Sequence, residues 1–177
     1  HVRSRRQRQM CIRDRIGKYK LRPEQEKAVK AILSNKLGET PFQIGVLDYT
    51  VNAGKTLIMS ALYLSYKKQL KTLLITNDSD WLNQARDEFK QYLPGEDITF
   101  VQGKVLNWSN FTIGMVQSIS RNMKYYQNEL AKIDMVLIDE ADQGGSKQYQ
   151  NVITRLFNTR VRIGLSGTIY MLSLIHI

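Results

Sequence analysis

Apolar residues gather in five short runs along this chain, at 43–47, 72–76, 111–115, 135–138 and 161–165, with amphipathic segments between most of them. Strands that alternate with amphipathic helices predict a parallel sheet flanked by helices. Ahead of the first run, Leu21 to Gln25 opens a helix: Pro23 suits the first turn, Glu24 and Glu26 favour its positive end, and Gly38 caps its finish near Leu37. Leu82, Ala85, Phe89 and Tyr92 recur at helical spacing before Pro94-Gly95, and Val152, Ile153, Leu156 and Phe157 do so after Gly144-Gly145. Both stripes read as core faces. Ile98 to Val101 carries a weaker strand pattern, only four residues long. The chain shows no internal repeat, low-complexity segment or clear linker.

Composition narrows the classes. At 177 residues, 42% apolar and 24% charged, the chain suits one globular domain that needs no disulfide or structural metal. It has no apolar stretch long enough to span a membrane and no signal-peptide pattern, which predicts a soluble intracellular protein. Cys11 is the single cysteine, so neither an internal disulfide nor a cysteine metal site is expected. The net charge of +10 suggests nucleic acid, but half of it sits in residues 1–15, where Arg3, Arg5, Arg6, Arg8, Arg13 and Arg15 face a single Asp. Such a run reads as a solvated tail. Met10 to Arg15 and Leu172 to Ile177 also resemble translated sequencing-adaptor text. The expected organisation is a disordered or artefactual tail at 1–17, one domain at 18–170 and an artefactual tail at 171–177.

Three polar motifs fall at strand ends, where ligands of open parallel sheets collect. Gly54-Lys55-Thr56 follows the first run, Asp139-Glu140-Ala141-Asp142 the fourth, and Ser166-Gly167-Thr168 the fifth. A magnesium-bound triphosphate needs backbone N–H groups and a lysine for its phosphates, a hydroxyl for the metal, and carboxylates for metal and attacking water. The segment 50–56 supplies the first set, including Asn52, Ala53 and Gly54, with Lys55 reaching the outer phosphates and the Thr56 hydroxyl turned to Mg²⁺. Asp139 belongs to the metal shell, Glu140 polarises the water, and Asp142 contacts neighbouring motifs. Two plainer readings compete. Gly-Lys-Thr also suits an ordinary helix start, and paired carboxylates suit sugar hydrolysis, which leaves Gly54-Lys55-Thr56 unexplained.

With Arg22-Pro23-Glu24-Gln25 and Leu165-Ser166-Gly167-Thr168 added, the chain resembles the first motor domain of a superfamily 2 helicase over roughly residues 18–170. The text around Asp139 to Tyr170 is most similar to phage-type DNA helicases and restriction-enzyme motor subunits. That resemblance implies an α/β, three-layer α/β/α RecA-like P-loop NTPase domain with a mainly parallel sheet, using ATP and Mg²⁺. It implies that Gln25 reads the adenine edge with support from Arg22, and that Ser166 and Thr168 link the acidic motif to the rest of the motor. Nucleic-acid contacts, to DNA in preference to RNA, are implied for 76–84, with Asn77 and Gln84, and for 112–121, with Gln117 and Ser118. The resemblance also implies a second RecA-like domain of the same gene that supplies an arginine finger, so the present chain alone is expected to hydrolyse ATP slowly or not at all. The implied setting is the cytoplasm of a bacterium or phage-infected host, away from membranes.

From the residues alone, Gln25 is an exposed helix position, Asn77, Asp78 and Ser79 are helix caps, and Ser166 to Thr168 is a turn. Tyr49 and Asn52 depart from the smaller residues usual in the family's loop, and Asp78 and Asp80 put negative charge near the strand path. Rival functions are the translocating subunit of a restriction system, a nucleotide-dependent nucleic-acid-binding module that does not unwind, and a kinase-like P-loop enzyme.

Overall fold

Six strands pair in register and all in parallel, in the computed structural model, which describes residues 15–34, 43–48, 54–66, 70–105, 108–141 and 145–167. They are β3 (Gln43–Asp48), β4 (Thr72–Thr76), β5 (Ile98–Val101), β6 (Phe111–Met115), β7 (Met135–Asp139) and β8 (Val161–Ser166), in the order β3-β8-β7-β4-β6-β5. A two-residue hairpin, β1 (Arg15–Ile16) with β2 (Tyr19–Lys20), precedes them. The helices are α1 (Pro23–Ser34), α2 (Lys55–Ser65), α3 (Ser79–Tyr92), α4 (Val116–Arg121), α5 (Met123–Leu130) and α6 (Lys147–Ile153).

Alternation along the strands sorts the core into two layers. Leu74, Ile113, Leu137, Ile163 and Leu165 point to the side covered by α1, α2 and α3, where Val29, Ile58, Leu62, Leu82 and Phe89 meet them. Leu73, Ile75 and Val136 point the other way, onto Val116, Ile119, Tyr126, Leu130, Tyr149 and Val152 of α4, α5 and α6. The result is the expected three-layer α/β/α arrangement. β4 is central and every residue in it is buried, which is why Leu73, Leu74 and Ile75 follow one another with no polar residue between them, flanked by buried threonines. α2 is buried from Thr56 through Tyr63, nearly all round, so its place against the sheet is held by about 1.5–3 kcal/mol for each large apolar side chain removed from water. That burial anchors the helix whose first turn faces the site.

Four details differ from, or sharpen, the sequence reading. Ile98 to Val101 does form a strand, and it is an edge. The described fold starts before residue 18, because Ile16 is fully buried in the first core layer. α6 stops at Ile153: the chain then tightens into three-residue turns, with Arg155 N–H bonding Val152 O and Leu156 N–H bonding Ile153 O. Helical spacing is lost there, so Leu156 stays buried while Phe157 is 74% exposed and belongs to no core face. Leu37 and Gly38 lie outside the described residues, as do most of the two expected tails. Among the described residues no helix is long and apolar enough to cross a membrane.

Candidate active site

Gly54 sets the start of α2. Its φ of 82° is left-handed backbone, and its carbonyl accepts from the N–H groups of Leu57 and Ile58. A β-carbon there would lie 2.6 Å from Gln25 Nε2. Glycine is therefore required twice, by conformation and by the closeness of α1. Among the described residues no side chain caps the first turn of α2 and no acid sits in it, so its positive end is open to an anion.

Across the crevice stands the end of β7, one residue longer than the apolar run because Asp139 pairs with Leu165 of β8. Lys55 Nζ lies 3.5 Å from Asp139 Oδ1, with the two side chains 13% and 4% exposed. That separation is an ion-pair contact rather than a tight charge-assisted bond, and Oδ1 is buried with no hydrogen bond. Burial pushes the Asp139 carboxyl above the usual range; Lys55 pulls it back only in part, and the charge of Asp78 adds to the rise. A buried carboxylate oxygen left unsatisfied beside a lysine and a threonine suits a hard cation. The donor set thus fits Mg²⁺, with Thr56 and Asp139 as the residues to hold it.

Glu140 has φ 52°, rare for a residue with a side chain, and such backbone persists only where the surrounding structure over-determines it. Two neighbours hold this turn. Tyr149 donates its hydroxyl to Asp139 O at 3.2 Å. Gly164 lets Ala141 settle on β8, where a β-carbon would stand 2.7 Å from Ala141 Cβ. Neither was singled out from sequence, though a glycine inside an apolar strand is a signal of close approach. Gly54, Lys55, Thr56, Asp139 and Glu140 line one cavity of about 310 Å³, closed on the other side by Asp78, Trp81, Gln84, Glu88 and Tyr92 around α3.

The remaining predicted residues divide. Gln25 is only 2% exposed, which corrects its plain reading as a surface position; its Oε1 accepts from the Arg22 N–H at 2.9 Å. The Arg22 guanidinium, more than half exposed, pairs with Glu24 at 3.4 Å. Ser166 is buried at the end of β8, opposite Asp48 in register and one residue beyond the partner of Asp139. Asp78 does cap α3, accepting from Asp80 N and Trp81 N at 2.8 and 2.9 Å. Gln117 Nε2 donates to Asn77 O at 3.3 Å, joining the β4–α3 and β6–α4 turns, and the Ser118 carbonyl accepts from Asn122. Gln84 opens instead onto the cavity with Lys55. Tyr49, Asn52, Ala53, Asp142 and Thr168 lie outside the described residues.

Comparison with known proteins shows the family and the fold. The family model for type III restriction enzyme, res subunit, matches residues 18–171. A putative ATP-dependent RNA helicase, L396, of Acanthamoeba polyphaga mimivirus is 26% identical over 124 residues, 70% of this chain and 23% of that protein. The UvsW helicase from bacteriophage T4 superposes with a TM-score of 0.67 at 23% identity, covering 87% of this chain and 55% of that one. For the Sulfolobus solfataricus SWI2/SNF2 ATPase core in complex with dsDNA the values are 0.66, 22%, 85% and 32%. For the Pyrococcus furiosus Hef helicase domain they are 0.68, 17%, 88% and 36%. These structures share the fold. The chain spans about a quarter of the mimivirus relative and roughly a third to a half of the three solved chains.

Proposed function

Because the chain belongs to the type III restriction enzyme res-subunit family and has a superfamily 2 helicase-like fold, we propose that it binds ATP in the Lys55–Asp139 crevice and couples hydrolysis to movement along DNA. One observation supports this most: a lysine at a glycine-opened helix start faces a buried, incompletely satisfied carboxylate in one cavity.

In this reading the N–H groups around Gly54, with Asn52 and Ala53, cradle the phosphates, and Lys55 binds the outer ones. Thr56 and Asp139 hold Mg²⁺, which when bound neutralises charge on the terminal phosphates. Glu140 orients and polarises the attacking water. Gln25 and Arg22 form the adenine side, next to Gly54. Ser166, Thr168 and Asp142 carry the state of the nucleotide toward Asn77, Gln117 and Ser118, which track a nucleic-acid backbone without reading sequence, while Gln84 faces the nucleotide cavity. Closure by a second RecA-like domain of the same gene supplies the arginine that completes catalysis.

In the complete protein, Lys55→Ala should reduce ATPase to background with the fold intact by circular dichroism; surviving activity would refute the phosphate-loop assignment. Glu140→Gln should keep ATP binding and block turnover. The 177-residue chain by itself should bind nucleotide weakly and turn it over slowly or not at all, and severalfold stimulation by DNA would contradict that. The family match also favours a second reading, the translocating subunit of a restriction system. A nuclease domain on the complete gene separates the two.

A further inference from the structure

Between Asp97 and Glu129 the sequence contains no acidic residue, while Lys104, Arg121 and Lys124 carry positive charge. The fold wraps this stretch around edge strand β5. On one face of the sheet Arg86 of α3 lies over Phe100, with its guanidinium carbon 4.6 Å from the ring centre. On the other face Lys104 Nζ lies 4.6 Å from the ring centre of Tyr125, which is 55% exposed. Gln102, just past the end of β5, is tied to α3 on the first side: its Oε1 accepts from Arg86 Nη2 and its Nε2 donates to Asn83 Oδ1, both at 3.5 Å, two residues before Lys104. The loop is held from beneath by the Tyr126 hydroxyl, which donates to Gly103 O and accepts from Val105 N. Asp87 is the acid beside Arg86 on α3, and Glu129 is taken up by Lys71 and Lys132.

Resting on the motor reading above, we propose that this strip, Arg86, Gln102, Lys104 and Tyr125, is an additional contact for single-stranded nucleic acid, lateral to the turns that carry Asn77 and Gln117. Cations spaced along a ridge bind backbone phosphates, and an exposed aromatic ring gives an unstacked base a face to rest on. Fixing Arg86 and Lys104 against rings orients both charges before any strand arrives, so less side-chain freedom is lost on binding. Duplex DNA offers no free base to Tyr125, and this is what selects a single strand.

The test is fluorescence anisotropy of a labelled oligo-dT with the 177-residue chain, titrated at several salt concentrations. Tyr125→Ala should weaken binding about fivefold or more with an unchanged salt slope, and Tyr125→Phe should restore it, since stacking needs only the ring. Lys104→Gln should weaken binding and lower the slope of log K against log salt by about 0.7, the value for one lost single-strand phosphate contact. Wild-type binding with all three variants unchanged overturns the strip and leaves the motor reading standing. No wild-type binding to single-stranded or duplex DNA or to RNA overturns both. Equal loss on duplex and single strand in Tyr125→Ala overturns the stacking role.

Discussion

The two ends of the parallel sheet handle a carboxylate withdrawn from water in opposite ways, Glu129 only partly buried and Asp139 almost wholly so. At the N-terminal end, Glu129 accepts from Lys71 Nζ at 2.6 Å and Lys132 Nζ at 2.7 Å, and Asp134 accepts from the Lys71 N–H at 2.9 Å. Burial alone would raise the Glu129 pKa, but its hydrogen bonds to Lys132 and Lys71 and the charges of both outweigh it and hold the carboxyl below the usual range. At the C-terminal end, Asp139 is more buried, has among the described residues one cation at 3.5 Å, keeps an unsatisfied oxygen and is pushed upward. The first end contributes stability. The second leaves an oxygen unsatisfied, which in the proposed reading a ligand completes, and the left-handed Gly54 and Glu140 stand at that same end.

That contrast can be broken from either side. The largest effect is expected for Gly54→Ala, which places a β-carbon 2.6 Å from Gln25 Nε2 on left-handed backbone. Nucleotide affinity by calorimetry should fall at least tenfold, with a loss of roughly 1–3 kcal/mol in urea unfolding; retained affinity would mean that the loop tolerates another geometry. Next, Glu129→Gln should cost about 1–2 kcal/mol at neutral pH, discounted for partial exposure. A group with a lowered pKa stabilises the fold above its ordinary value and stops doing so as pH falls through its folded value. The difference from wild type should therefore shrink in acid, and a constant difference would assign the effect to packing.

Asp139→Asn should act with the opposite sign. A group with a raised pKa adds stability below its unfolded value and loses it as pH rises through the folded one. At neutral pH the amide should therefore raise the melting temperature slightly, by about 2–4 °C for each kcal/mol regained, while Mg²⁺-dependent nucleotide binding is lost. A lower melting temperature at neutral pH would show that Lys55 already satisfies the carboxylate. Smallest is Tyr149→Phe, expected to cost about 1 kcal/mol through the bond to Asp139 O. Its sharper readout is a change in nucleotide affinity that a purely structural contact would not produce.

Legibility in the sequence followed how local the physics was. Strands buried on both faces announce themselves as apolar runs, and Gly54, Asp139 and Ser166 were placed at strand ends because parallel topology puts ligands there. Phe157 misled because its helical spacing outlasts the helix, which only the turn after Ile153 reveals. Gln25 looked exposed because its partners, the Arg22 N–H and the neighbourhood of Gly54, come from a turn and from a distant segment.

Residue order was enough to establish a parallel α/β domain with Gly54-Lys55 at a helix start and an acidic strand end, since hydrophobic period and helix-start chemistry act over a few neighbours. Strand order, the 3.5 Å approach of Lys55 to Asp139, the fit of Ala141 over Gly164 and the ridge around β5 depend on segments far apart in the chain. Those contacts are set by which side chains must leave water together, a condition that exists only once the sheet has closed.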